Sequence, residues 1–397
     1  MSSGPLDGVR VIELGGLGAA PFTAMLLSDM GAAVTRVDRI ADAGRAKPNL
    51  INRGRRSVTV DLKSDAGREV VLRLCDAADV LVEGFRPGVT ERLGVGPEPV
   101  RTRNPRLVYA RATGWGQTGP LADRAGHDID YIALSGALAS IGRAGAPPTP
   151  PLNLIGDFAG GGTMLAFGVV CALYESRASG RGQVIDGAML DGAAVLMTMF
   201  FTYRHTGVLG PRGTNPLDSG APFYEVYRTA DDRWLAVGAV EPQFYAELLA
   251  GLQLDPDGLP AQSDRSRWPE LRERLAAAIA TRTRDEWSAV FEDRDACVVP
   301  VLDLGEVERH PHNRRREVFE HVEGVLQPRP APRFERTPGA IQGPPPICGA
   351  DTESVLRDCG FAPDEIDRLV SSGAVTTIPA QTGDAAPVPA LRTEPRR

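Results

Sequence analysis

Short β-rich runs alternating with helical stretches over residues 9–113 constrain this chain more than any other feature it contains. Val9-Arg10-Val11-Ile12-Glu13-Leu14 leads through Gly15-Gly16-Leu17-Gly18 into a helical stretch from Pro21 to Met30. Proline near a first helical turn is favourable, because its missing N–H has no helical partner there anyway. A second strand, Val34 to Asp38, ends in an acid. Strand, glycine turn, helix and strand in that order outline a mononucleotide-binding unit. Further strands are expected at Ser57–Leu62, Asp79–Glu83 and Leu107–Ala112, with a helix at Gly67–Ala77. The pattern predicts an α/β fold with an open, mostly parallel sheet. A dinucleotide fingerprint is incomplete: after Gly16 and Gly18 the third glycine place holds Pro21, which argues against a nicotinamide site. Ligands on such sheets sit at the carboxyl ends of strands. The turns Lys63-Ser64-Asp65 and Gly84-Phe85-Arg86-Pro87-Gly88 are therefore candidate binding loops.

At 397 residues, two domains are expected. The large domain is read as residues 1–206, with a helix over Asp157–Glu175, a strand at Gln183–Ala188 and a helix over Met189–Thr206. Residues 207–222, rich in Gly, Pro, Asn, Asp and Ser, form a linker. A smaller α+β domain follows at 223–322. It opens with a hairpin of Phe223–Arg228 and Trp234–Ala239, then helices at Gln243–Leu252, Trp268–Ala280 and Arg284–Phe291. Residues 323–370 return to the large domain, with a helix over Ser354–Val370, and 371–397 form a disordered tail. The most apolar run, Thr163 to Leu173, is shorter than the roughly 20 residues a bilayer needs and reads as a buried helix.

A net charge of −7 argues against a nucleic-acid protein. Within it, Arg36, Arg39, Arg45, Lys47, Arg53, Arg55 and Arg56 face only Asp38 and Asp42 over the same segment. Such a patch suits a phosphorylated small molecule, and a solvated loop explains it equally well. Five cysteines without pair spacing, and a start lacking basic and apolar leader regions, point to reduced thiols in the cytoplasm. Cys297 reads as core, His310-Pro311-His312 as a solvated loop and Arg314-Arg315-Arg316 as surface; no metal site is expected.

The candidate chemistry lies between Gly126 and Asp157. Gly126-His127-Asp128-Ile129-Asp130-Tyr131 and Asn153-Leu154-Ile155-Gly156-Asp157-Phe158 each put a candidate base at the start of an apolar helix, beside glycine. A helix start offers unpaired N–H groups to developing negative charge. Taken alone, His127 fits a packing or capping role, and Asp157 fits a helix N-cap. Together, a neutral imidazole and a carboxylate on opposite sides of one carbon would exchange a proton across it.

These motifs, with Val37-Asp38-Arg39, Val60-Asp61-Leu62-Lys63, Arg86-Pro87-Gly88-Val89, Tyr109 to Gln117 and Gly182 to Asp186, resemble the α-methylacyl-CoA racemases of the family III CoA-transferase superfamily. The resemblance runs over roughly residues 5–365. It implies a large Rossmann-like domain, a small domain and two subunits interlocked as rings. It also implies interconversion of (2R)- and (2S)-2-methylacyl-CoA thioesters through an enolate, in lipid metabolism. No metal or redox cofactor is implied, since CoA arrives as part of the substrate; no nucleic-acid or membrane partner is expected. The family's bases fall on His127 and Asp157, and a small-domain glutamate that neighbours the histidine across the dimer falls on Glu241. CoA contacts carry over to Arg39, Val60, Asp61, Leu62, Lys63, Gly84, Phe85, Gly126, Asp128, Ile129, Asp130 and Tyr131. Arg53 and Arg92 match arginines near the family's active site, whereas Asp130 stands where asparagine is commoner. The rival reading is a CoA-transferase, which uses the aspartate as a nucleophile to form a mixed anhydride; a histidine at position 127 favours proton transfer instead.

Overall fold

The computed structural model describes residues 4–378. Its centre is a seven-stranded sheet. β1 (Arg10–Leu14), α1 (Ala19–Asp29), β2 (Ala33–Asp38), β3 (Arg55–Val60), α2 (Asp65–Asp76), β4 (Val80–Glu83) and β5 (Val108–Thr113) realise the predicted alternation, with ends shifted by one to two residues. α3 (Asp128–Leu134) and a continuous helix, α4 (Leu154–Ser179), precede β6 (Val184–Ala188). The parallel strands lie in the order β3-β2-β1-β4-β5-β6. Chain direction across the sheet therefore reverses between β1 and β4, and a crevice opens there at the carboxyl ends.

Both faces of the sheet are covered, which is why its strands are apolar at consecutive positions. Along β1, Val11 packs into the core that includes α1 and α4, while Ile12 packs into the opposite core with α2. Val80 and Val82 of β4 join the first of these cores and Leu81 the second.

α4 departs from the expected helix. Its first part, Leu154–Thr163, is a π-helix that passes into regular α-helix at Met164. Gly160 makes the packing possible: a Cβ there would lie 2.6 Å from the Ala193 nitrogen in α5 (Met189–Leu196). A Cβ on Gly192 of α5 would lie 1.8 Å from the Gly160 carbonyl oxygen, so the two backbones touch. α4 is also longer than expected, at 26 residues, and is apolar enough for that length to cross a membrane. It is not simply buried: Leu165 and Val169 face the core, whereas Phe167, Val170 and Tyr174 are exposed. The single helix expected after β6 is two, α5 and α6 (Thr198–His205).

A second core is built on β7 (Tyr224–Arg228) and β8 (Trp234–Gly238), the expected hairpin, backed by α7 (Pro242–Leu252), α8 (Trp268–Ile279) and α9 (Arg284–Phe291). A third strand, β9 (Val298–Pro300), pairs with β8. Cys297 beside it is exposed, with φ 51°, and is not a core residue. Its side chain is turned outward because Ala296 takes the buried place. A hairpin that the sequence reading does not name, β10 (Phe319–Val322) and β11 (Val325–Pro328), straddles the expected boundary between residues 322 and 323. α10 (Thr352–Asp358) and α11 (Pro363–Ser371) replace one predicted helix, separated at Gly360 (φ 78°). The tail is not disordered from residue 371: β12 (Val375–Thr376) adds antiparallel to β3. Residues 379–397 lie outside the described chain.

Candidate active site

Gly84, after β4, approaches α1 so closely that a Cβ would lie 3.1 Å from that of Ala20. Asp157 reaches the same helix start from α4: its Oδ2 lies 3.5 Å from where a Gly18 Cβ would be. The sequence-distant Gly84 loop and Asp157 thus converge on the N-terminus of α1, at the sheet's switch point. A carboxylate there faces the positive end of the helix dipole. Asn153 Nδ2 donates to Asp157 Oδ2 at 3.0 Å. Asp157 is not the helix N-cap: Asn153 holds that place and Asp157 lies in the first turn.

His127 is exposed and caps α3 with extended backbone, φ −130° and ψ 173°. Its N–H donates to Asp130 Oδ2 at 2.9 Å, so Asp130 is engaged with its own helix start. The Tyr131 ring packs edge-on against Trp115, with centroids 4.8 Å apart, and its hydroxyl donates to the Gly126 carbonyl. Gly126 leaves room for both rings, since a Cβ would lie 2.7 Å from Tyr131 and 2.9 Å from Trp115. The loop carrying His127 is pinned from two sides.

Asp128 joins the two halves. It is 5% exposed, and its Oδ2 accepts the Asp157 N–H at 2.7 Å. Burial raises its carboxyl above the ordinary range and the nearby Asp157 carboxylate adds to that, while the Asp157 and Gly156 N–H groups pull it down. Sequence reading names the Asp128 backbone but not this side-chain bridge, because the contact spans 29 residues and crosses between helices.

Arg39, after β2, and Lys63, after β3, are exposed cations on adjacent strand ends. Asp61 Oδ1 accepts the Lys63 N–H at 3.0 Å and shapes that turn, with Leu62 packed partly into the core. Phe85 donates its N–H to Glu83 Oε2 at 2.6 Å, which anchors the Gly84 loop. Arg92 folds back on that loop, its Nη1 3.1 Å from a Gly88 Cβ position. Ile129 is 44% exposed beside His127. Val60 is buried, so only its backbone is on offer.

Arg53 differs from the expected binding set. It is buried and its Nη2 meets Asp29 Oδ2 at 2.6 Å, with Nη1 donating to the Pro328 carbonyl at 2.8 Å. The guanidinium is occupied in tying the return segment to the sheet. Much of the supposed cationic patch is likewise spent: Arg36 and Arg55 are buried on Glu13, and Lys47 pairs with Asp38 and Asp42. Glu241 is exposed at the N-cap of α7, and among the described residues no hydrogen bond or ion pair joins it to His127.

Residues 6–352 match the family described as CoA-transferase family III. The chain belongs to that family. It is 48% identical to the alpha-methylacyl-CoA racemase of Mus musculus over 375 residues, 92% of this chain and 98% of the mouse protein. It is 46% identical to that of Homo sapiens, across 93% and 98% of the two chains. The succinyl-CoA–D-citramalate CoA-transferase of Chloroflexus aurantiacus is 31% identical over 92% of this chain and 96% of its own. A CAIB/BAIF family crystal structure from Brucella suis shares the fold, with TM-score 0.79 at 24% identity over 90% of this chain and all of that one.

Proposed function

We propose that this family III protein is a racemase of 2-methyl-branched acyl-CoA thioesters, with His127 and Asp157 as the two bases. The observation that carries the proposal is the Asp128 bridge, which brings the backbones of His127 and Asp157 to one point of the crevice. One base removes the α-proton, charge moves to the thioester oxygen, and the other base returns a proton to the opposite face. In this reading the Asp128 N–H, in the first turn of α3, hydrogen-bonds that oxygen; such a donor is worth about 3 kcal/mol in a transition state. The thioester carbonyl is itself the electron sink, so the step needs neither metal nor redox cofactor. Arg39, Lys63 and the Gly84 loop hold the CoA moiety. Identity of 48% to a named racemase supports the same reading.

His127, Ile129 and Leu134 are open to solvent on one chain, and Phe167, Val170 and Tyr174 expose apolar surface on α4. A second copy of the chain, interlocked with the first, covers these faces and brings its own Glu241 to orient His127. Exposed unpaired Cys171 and Cys297 fit a reducing compartment, hence the cytoplasm.

The test is incubation of one enantiomer of a 2-methylacyl-CoA with the protein in deuterated water, with and without a free carboxylic acid. Deuterium at C2 and formation of the other enantiomer are expected in both cases. A new CoA ester of the added acid, without exchange at C2, would instead establish Asp157 as the nucleophile of a transferase.

A further inference from the structure

We infer that the Asp128 side chain is a positioning residue for the racemisation, a strut that sets His127 and Asp157 relative to each other. The inference rests on the two-base reading. Asp128 follows His127 directly, and its carboxylate grips the backbone of Asp157 across 29 residues of sequence. Losing that grip frees the backbone of Asp157, while the His127 loop keeps its own anchors at Asp130 and Tyr131.

The contact is specific in its steric demands. A Cβ on Gly156 would lie 2.7 Å from Asp128 Oδ2 and 2.9 Å from its Cγ, so residue 156 must lack a side chain for the strut to seat. On its other side α4 is fixed by the close approach of Gly160 to α5, so α4 presents Asp157 from a rigid support. The strut is what attaches the first turn of α3 to that support.

The choice of a carboxylate also needs explaining. Asp128 Oδ1 is buried and has no hydrogen-bond partner among the described residues. Burying a half-satisfied carboxylate beside a second carboxylate is unfavourable. A neutral acceptor would satisfy the Asp157 N–H at lower cost if holding the fold were its only task. A charged-acceptor hydrogen bond from the Asp157 N–H gives a stiffer link than a neutral pair. Stiffness matters here because a misplacement of about 1 Å costs a reaction about 10²-fold.

The test compares Asp128→Ala, Asp128→Asn and Gly156→Ala in the full-length protein, reading deuterium uptake at C2 from each enantiomer separately. Asp157→Ala, measured alongside, identifies the enantiomer whose proton Asp157 removes. Asp128→Ala is expected to lower kcat about 10²-fold while KM for the CoA ester changes little. The loss should be larger for the enantiomer that Asp157→Ala silences. Asp128→Asn, which keeps an oxygen acceptor of the same shape without the charge, should recover only part of the rate, and Gly156→Ala should reproduce the unequal loss by displacing the strut. Should Asp128→Ala not fold, the Asn and Gly156→Ala pair decides. Unchanged kcat in Asp128→Ala or Gly156→Ala, equal losses for both enantiomers, or a rise in KM matching the fall in rate would overturn the inference while wild type still racemises. A wild-type protein that neither exchanges nor racemises would overturn the function and the strut together.

Discussion

The arginines beneath α1 and the cations at the rim of the crevice come from overlapping stretches of sequence and do opposite things. Arg36, Arg53 and Arg55 are buried against Glu13, Asp38 and Asp29, with Arg36 Nη1 2.8 Å from Glu13 Oε1. Arg39 and Lys63, a few residues away, are exposed, and among the described residues neither meets a carboxylate. Interior guanidinium groups brace strands against each other, while the rim groups are left to an external anion. Net charge along a segment therefore says little about binding; what matters is whether acids from other elements have already claimed each cation.

That contrast breaks most visibly in the interior. Replacing Glu13 by alanine leaves Arg55 charged and buried without a carboxylate, which costs about 3–5 kcal/mol. Denaturant unfolding of Glu13→Ala should show that loss, with KM unchanged in the fraction still folded. The rim should behave in reverse. On the proposed reading, Arg39→Ala and Lys63→Ala each remove a charge-assisted contact to a CoA phosphate, worth about 1.5–3 kcal/mol, and should raise KM about tenfold or more. Their unfolding midpoints should stay near wild type, and the KM effect should shrink as salt increases.

Glu83, at the end of β4, is buried on Arg111 and anchors the Gly84 loop through Phe85. Burial pushes its carboxyl up to about 7, against the pull of the Phe85 N–H and Arg111. Between its ordinary value of 4.5 and about 7 the folded protein holds a proton that the unfolded chain has released. Its contribution to stability is thus full at the acid end of that window and lost as pH rises through it. Thermal midpoints of Glu83→Gln measured across the window should fall less steeply with pH than those of wild type.

The parallel sheet was legible because each strand carries two buried faces and so reads as a continuous apolar run, and because glycine turns punctuate it. His127 at a helix start was legible for the same local reason. What was hidden depends on contacts distant in sequence. Arg53 looked available because its acid, Asp29, lies at the end of the preceding helix. Gly160 falls inside the helix expected over Asp157–Glu175, and neither its π-helical turn nor the backbone contact with Gly192 is announced by a local pattern. β12 is two residues long and is held by its pairing with β3, which no local pattern announces. The Asp128 bridge was invisible for the reason that makes it useful: it joins two helices.

Face-specific exchange tests the two-base claim most directly. Each enantiomer of a 2-methylacyl-CoA is incubated in deuterated water with His127→Ala and with Asp157→Ala, and deuterium at C2 is followed by mass spectrometry. Each variant should lose exchange from one enantiomer, a different one in each case, and both should lose interconversion while still binding CoA. Full interconversion by either variant would contradict the assignment.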